Sequence, residues 1–69
     1  MKIQDLYINP KNVCTIGMYA NDNVYGLEIN GTKIKFGEYN PFDEEQIKIV
    51  AKELRQYQQQ IIDEVERLK

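Results

Sequence analysis

The pattern of apolar and polar positions divides the chain at Pro41. Before it, β-branched and aromatic residues alternate with polar ones and are interrupted by Asn, Gly and Pro; after it, no Gly or Pro occurs and apolar residues recur every three or four positions. Alternation predicts strands, and the longer period predicts an amphipathic helix. We therefore predict one α+β domain over residues 1–69, with a sheet over 1–37, a connector over 38–42 and a helix over 43–69.

The best-defined turn of the predicted sheet is Asn30-Gly31. A type I′ turn needs positive φ at both central residues, and Asn-Gly is the strongest short hairpin signal for that reason. Because alternation and turn agree, the register of this hairpin follows. It places Ile29 opposite Thr32, Leu27 opposite Ile34, Tyr25 opposite Phe36 and Glu28 opposite Lys33, with Gly26 near Lys35.

A second two-residue loop, Asp22-Asn23, is predicted to close the preceding hairpin. Matching apolar residues across it predicts that Cys14 is a small core residue, and that Tyr19 lies opposite Gly26 on the other face. The predicted apolar pairs are Met18 with Tyr25, Ile16 with Leu27 and Cys14 with Ile29.

A first strand is predicted over residues 3–8, followed by a type I turn at Asn9-Pro10-Lys11-Asn12. Leu6 and Ile8 alternate onto one face of this strand, and Ile3 and Tyr7 onto the other. We expect Leu6 and Ile8 to face inward. The result is a four-stranded antiparallel β-meander with one apolar face, on which a single long C-terminal α-helix packs in the order ββββα.

The helix start has a clear signal at Phe42-Asp43-Glu44-Glu45-Gln46-Ile47. Asp43 is predicted to be the N-cap with Gln46 as its capping-box partner, and Phe42 with Ile47 a hydrophobic staple. A helix of about 25 residues is about 37 Å long, whereas four short strands make a sheet with a diagonal just under about 30 Å. We therefore expect the last turns of the helix to extend past the sheet.

Apolar side chains on these last turns would be exposed in a single chain, and burying each contributes about 1.5–3 kcal/mol. A domain this small is marginally stable alone. With one cysteine and no histidine, it has no internal disulfide and no usual zinc site to stabilise it. We expect a homodimer or higher homo-oligomer, the alternative being that the last turns fray. The expected interface comprises Tyr57, Ile61, Ile62, Val65 and Leu68.

Charge and residue types narrow the chemistry. The net charge of −2 divides into +1 over residues 1–37 and −3 over residues 38–69. Without histidine, a Cys14 thiolate has no imidazole base. The four glycines are scattered and form no phosphate loop, and Asn21-Asp22-Asn23 lacks the other ligands of a calcium loop. We predict no catalytic site, no metal site, no cofactor and a non-enzymatic function.

A partner surface is predicted on the outer sheet face. Tyr19 is predicted to lie beside lysines on a sheet face where glycines leave space. Such an aromatic side chain can stack on a nucleobase while the lysines contact the phosphate. The plainer interpretation is that Tyr19 covers Gly26 while Glu28 pairs with Lys33. The predicted ligand or partner surface comprises Tyr19, Lys33, Lys35 and Tyr39.

Together these features favour a small protein-binding module that homo-oligomerises through its C-terminal helix. Heavy use of Ile, Lys and Asn is typical of AT-rich bacterial or phage genomes. We interpret the chain as a phage or mobile-element accessory protein that inhibits a host factor by binding, in the manner of anti-defence (anti-CRISPR-like) proteins. The alternatives are a protein that binds or sequesters a nucleotide or single-stranded nucleic acid on the outer sheet face, and a structural assembly subunit.

The chain has no apolar run approaching the roughly 18 residues of a membrane span, and its start lacks a signal-peptide core. We expect it in the cytoplasm of a bacterial host or a phage-infected cell, with no membrane partner.

Overall fold

The computed structural model describes residues 1–3 and 6–68 and shows an α+β fold. A three-stranded and a two-stranded antiparallel sheet accompany one long helix, which packs on the larger sheet. The predicted fold class is confirmed, but the four strands do not form one sheet. In chain order the elements are β1 (Lys2–Ile3), β2 (Leu6–Tyr7), a 3-10 turn (Pro10–Asn12), β3 (Ile16–Asn21), β4 (Val24–Ile29), β5 (Thr32–Glu38) and α1 (Glu44–Arg67).

The predicted first strand is instead a small hairpin, in which β1 pairs with β2. Gln4 and Asp5, which the prediction included in the strand, lie outside the described residues. Ile3 and Ile8 are both buried. They would point to opposite faces of one straight strand, because side chains alternate with a period of two. Folding the segment back on itself brings both into the core, which explains why one strand does not form.

The β4–β5 hairpin forms at the predicted turn, where Asn30 has φ 54° and Gly31 has φ 83°. Its register is confirmed from Ile29–Thr32 out to Gly26–Lys35. Beyond that point a β-bulge shifts the pairing, so that Tyr25 lies opposite Gly37 and not opposite Phe36. A Cβ placed on Gly26 would collide with the carbonyl oxygen of Ile34. The bulge therefore depends on a glycine at position 26.

The β3–β4 hairpin closes at Asp22-Asn23 as predicted, and Tyr19 lies opposite Gly26. The predicted apolar pairs are wrong by two residues, since Met18 lies opposite Leu27 and Ile16 opposite Ile29. A slip of two residues leaves every side chain on the same face, so alternation cannot detect it. The two-residue loop itself requires the observed register, so the predicted apolar pairs did not agree with the predicted loop. As a consequence Cys14 precedes β3 and is exposed, and its predicted burial is wrong.

Asp43 caps α1 as predicted, because its Oδ1 accepts from the backbone N–H groups of Glu45 at 3.0 Å and Gln46 at 3.4 Å. The other helix-start predictions are met only in part. Gln46 Nε2 donates to Asp43 Oδ2 at 3.3 Å, but Gln46 Oε1 accepts from the N–H of Asn40 at 2.8 Å and not from that of Asp43, so the capping box is incomplete. Phe42 is 93% exposed, so the predicted hydrophobic staple does not form.

The C-terminal half of α1 is covered by the N-terminal segment of the same chain. Ile3 and Ile8 share one buried cluster with Ile61, and the 3-10 turn contacts the helix. The prediction that Ile61 would be exposed in a single chain is therefore wrong, since it is 0% exposed. The prediction compared the helix length with the sheet alone and did not include the N-terminal segment as a packing partner of the helix. The buried core consists of Ile3, Ile8, Leu27, Ile29, Val50, Leu54 and Ile61.

Candidate functional site

The four residues of the predicted partner surface do not form one site: Tyr19 and Tyr39 both line a groove beside α1, whereas Lys33 and Lys35 do not. On the outer sheet face the Lys33 ammonium lies 5.6 Å from the centre of the Tyr19 ring. Lys35 there forms an ion pair with Glu38 at 3.1 Å. Tyr39 lies on the helix side, where its ring meets the edge of Tyr25 at a centroid distance of 6.0 Å. Among the described residues, the outer face thus presents Tyr19 and one lysine without an ion-pair partner, Lys33. The nucleotide interpretation used the positive charge of both Lys33 and Lys35.

Strand β3 lies at an edge of the larger sheet, because the strand order is β3-β4-β5. The N–H of Asn30 donates to the carbonyl of Thr15 at 3.0 Å, which identifies these two as a hydrogen-bonded pair. Hydrogen-bonded and non-hydrogen-bonded pairs alternate along an antiparallel ladder. The backbone groups of Ile16, Met18 and Ala20 therefore point away from β4. Within the described residues, no other strand pairs with this edge.

A groove of about 270 Å³ runs between β3 and the N-terminal half of α1. Its strand side has Met18 and Ala20, and its helix side has Ile47 and Ala51. Met18 is 44% exposed and Ile47 42% exposed, although both belong to the apolar faces of their elements. Tyr19, Tyr39, Val50, Leu54 and Arg55 complete the lining.

Sequence reasoning missed this groove because it assigned both of these side chains to other partners. Met18 was expected to face Tyr25 across the hairpin, and Ile47 to meet Phe42. In the predicted four-stranded meander this strand had a neighbour on each side, so the predicted strand order gave no signal of a free edge; the edge exists because β1 and β2 form a separate sheet.

Three of the four basic residues of α1 lie on the flank that borders the groove. Arg55 lines the groove, and Lys48 and Lys52 follow Ile47 and Ala51 by one position, about 100° further round the helix. In the described part of the chain, side-chain ion pairs join Lys35 to Glu38 and Arg67 to Glu64, so these three cations are unpaired. A helix that is acidic in total therefore carries three cations on one flank, C-terminal to an acidic first turn with Glu44 and Glu45. This row of cations is called the basic flank below.

The opposite flank of α1 is occupied by aromatic contacts with the sheet. Tyr25 Oη donates to Glu53 Oε2 at 3.4 Å, and Tyr57 meets Phe36 edge to face at 5.2 Å between ring centres. Burial raises the pKa of the Tyr25 phenol, and the Glu53 carboxylate raises it further. These contacts join this flank of the helix to β4 and β5.

The predicted oligomer interface is only partly available on the folded chain. Ile61 is buried and Tyr57 packs on Phe36, so neither lies free on the surface. Ile62 and Val65 are half-buried beside a surface hollow of about 170 Å³, and Leu68 is exposed. Self-association through the helix stays a prediction, with a smaller apolar surface than the sequence indicated.

The Asn30 side chain has a role that the sequence did not reveal. Its Oδ1 accepts from the backbone N–H groups of Cys14 at 2.7 Å and Thr15 at 3.2 Å. Its Nδ2 donates to the carbonyl of Asn12 at 2.7 Å. Asn30 therefore fastens the start of β3 to the far hairpin turn and sets where the free edge begins.

In the described ranges, the helix is too polar to qualify as a membrane-crossing segment. Comparisons with protein-family models, with curated proteins and with solved structures gave no match.

Proposed function

We propose that this chain is a non-enzymatic protein-binding module whose partner adds an extended segment to the free edge of β3. The observation that carries the proposal is the unpaired edge beside a groove with two half-exposed apolar side chains, Met18 and Ile47. An open strand edge is a template for pairing with another chain. In such pairing, main-chain hydrogen bonds supply affinity, and a pocket for alternate side chains supplies specificity.

A single added strand could use both the unpaired edge of β3 and the groove beside it. A partner residue that hydrogen-bonds to Met18 projects its side chain to the same face as Met18, because directly opposed residues share a face of the sheet. That face is the helix side, so the side chain enters the groove against Ile47 and Ala51. Each of the half-exposed residues would add about 1 kcal/mol when covered, roughly half the value for full burial.

The biological setting that we propose is the one the sequence favours, an accessory protein of a phage or mobile element that inhibits a host factor by occupying its surface. Self-association through Ile62, Val65 and Leu68 is a separate proposal. The two are compatible, because these residues line hollows near the C-terminal end of α1, whereas the groove borders its N-terminal half.

The test compares two surface variants of the tagged full chain in cross-linking and affinity capture from host cells. Met18→Asn with Ile47→Asn removes the apolar contacts of the groove without adding charge. Lys33→Ala with Lys35→Ala is the matched control, since both lysines lie on the opposite face of the same sheet and neither lines the groove. Circular dichroism establishes that both variants keep their helix.

We expect a specific protein to be captured by the wild type and the control and lost by the groove variant, with cross-links to β3. Loss in the control and retention in the groove variant would contradict the proposal. Nucleotide released on heating the wild type, and absent from the control, would favour the outer-face alternative.

A further inference from the structure

The placement of charge around the groove points to the chemistry of the partner. We infer that the segment added to β3 carries acidic side chains on either side of an apolar one, on the face that it turns toward α1. This inference rests on the proposed function, because it concerns the occupant of the same groove. It goes further in naming which residue types the occupant presents.

The register of an added strand brings its alternate residues to the helix side. The residue opposite Met18 enters the apolar groove, and its neighbours two positions away lie on the same face, about 7 Å along the strand in each direction. The three cations of the flank are spaced four and three residues apart on the helix, which places Lys48, Lys52 and Arg55 about one turn from each other. Carboxylates at the flanking positions of the partner therefore meet a row of ammonium and guanidinium groups.

The same charges disfavour a second copy of this chain as the occupant. Pairing two β3 strands about a two-fold axis is isologous, so each surface meets its own equivalent. The basic flank of one helix would then face the basic flank of the other. Like charges brought together across an interface oppose association and select against that partner. Charge complementarity thus favours a different, acidic chain over self-pairing at this edge.

The experiment is selection of displayed random 12-residue peptides on the full-length protein. Selected peptides are then synthesised, and their Kd is measured by fluorescence anisotropy. The charge-reversed variant combines Lys48→Glu, Lys52→Glu and Arg55→Glu. The matched control combines Lys11→Glu, Lys33→Glu and Lys35→Glu, which makes the same change in net charge away from the groove.

We expect the selected peptides to share Asp or Glu at alternate positions around Val, Ile or Leu. Exposed ion pairs are individually weak, and three together amount to roughly a tenfold change in Kd. The charge-reversed variant should therefore bind these peptides at least tenfold more weakly, whereas the control binds them within about twofold of the wild type. Binding should also weaken as salt is raised, because the pairs are exposed.

Two results would overturn the inference, and they differ in what else they overturn. The first result is that the selected peptides need Met18 and Ile47 but are neutral or basic, or bind the charge-reversed variant as tightly as the wild type. This result would contradict an acidic partner and would leave the proposed function standing. The second result is that the selected peptides bind the Met18→Asn, Ile47→Asn variant as tightly as the wild type, or that the wild type only pairs with a second copy of itself along β3. In either case the groove is not a partner site, and both proposals fail.

Discussion

Replacing Asn30 separates its two roles, turn conformation and side-chain hydrogen bonding. Asn30→Gly keeps the positive φ of 54° available, because glycine adopts it without strain, but removes the side-chain bonds to Cys14, Thr15 and Asn12. A hydrogen bond contributes about 0.5–1.5 kcal/mol net, and these three are exposed, so values near the lower end apply. We expect Asn30→Gly to lower the free energy of unfolding by about 1.5–3 kcal/mol.

Urea unfolding followed by the helical circular dichroism signal measures this loss, and for a domain of this size each kcal/mol also lowers the Tm by about 4–8 °C. Asn30→Asp keeps an acceptor for the N–H groups of Cys14 and Thr15 but loses the donor to Asn12, so its stability should lie between wild type and Asn30→Gly. Asn23→Gly is the control at the other hairpin turn, with an expected cost under about 1 kcal/mol from backbone entropy.

Equal losses for Asn30→Gly and Asn23→Gly would refute the reasoning, because the side-chain bonds would then contribute nothing beyond the turn. An Asn30→Asp variant less stable than Asn30→Gly at neutral pH would also refute it, since the two retained acceptor bonds would not be stabilising.

Three further predictions concern the sheet, the helix contact and the helix end. Gly26→Ala should lower the free energy of unfolding by about 1–3 kcal/mol because the added methyl group meets the strand backbone. Gly17→Ala is the control and should lower it less, because a Cβ there meets nothing within 4 Å. Thermal unfolding compares the two variants, and equal losses of stability would contradict the role of Gly26 in the bulge. The raised pKa of Tyr25 favours the neutral phenol in the folded state, so its stabilisation is complete below the unfolded pKa of about 10 and is lost as pH rises above it. Urea unfolding from pH 9 upward should therefore show a steeper loss for wild type than for Tyr25→Phe, and parallel profiles would be evidence against the assignment. Ile62→Asp with Leu68→Asp should convert an oligomer to a monomer in sedimentation velocity, a prediction that fails if the wild type is already monomeric at micromolar concentration.

Local signals predicted the hairpins and the helix well. Asn30-Gly31 and Asp22-Asn23 both close two-residue turns, and Asp43 caps a helix that ends at Arg67. The predicted helix extended to Lys69, which lies outside the described residues. Turn and capping preferences act over three or four residues, so neighbouring sequence alone is enough to establish them.

Predictions that depended on tertiary contacts between elements were less successful. The two-residue error in the β3 register and the assumed burial of Cys14 arose because the pairs were chosen by alternation, which a slip of two leaves unchanged, and were not counted from the two-residue turn. The prediction of a single first strand was wrong because β1 pairs with β2, and Ile3 and Ile8 are both buried in one core. The outer-face site was predicted as one surface, but Tyr39 lies on the helix side.

The sequence by itself determined an α+β chain with an asparagine-glycine hairpin and a capped amphipathic helix, because those features depend on local conformational preference and on the period of apolar residues. Only the tertiary structure decided which apolar side chains stay half-exposed. Ile61 is buried in one cluster with Ile3 and Ile8, more than 50 residues earlier in the chain. Met18 and Ile47 remain half-exposed beside the edge of β3, with which nothing in the described chain pairs. The burial of a side chain depends on how all the elements pack together. The position of the basic flank beside the groove depends on the same packing.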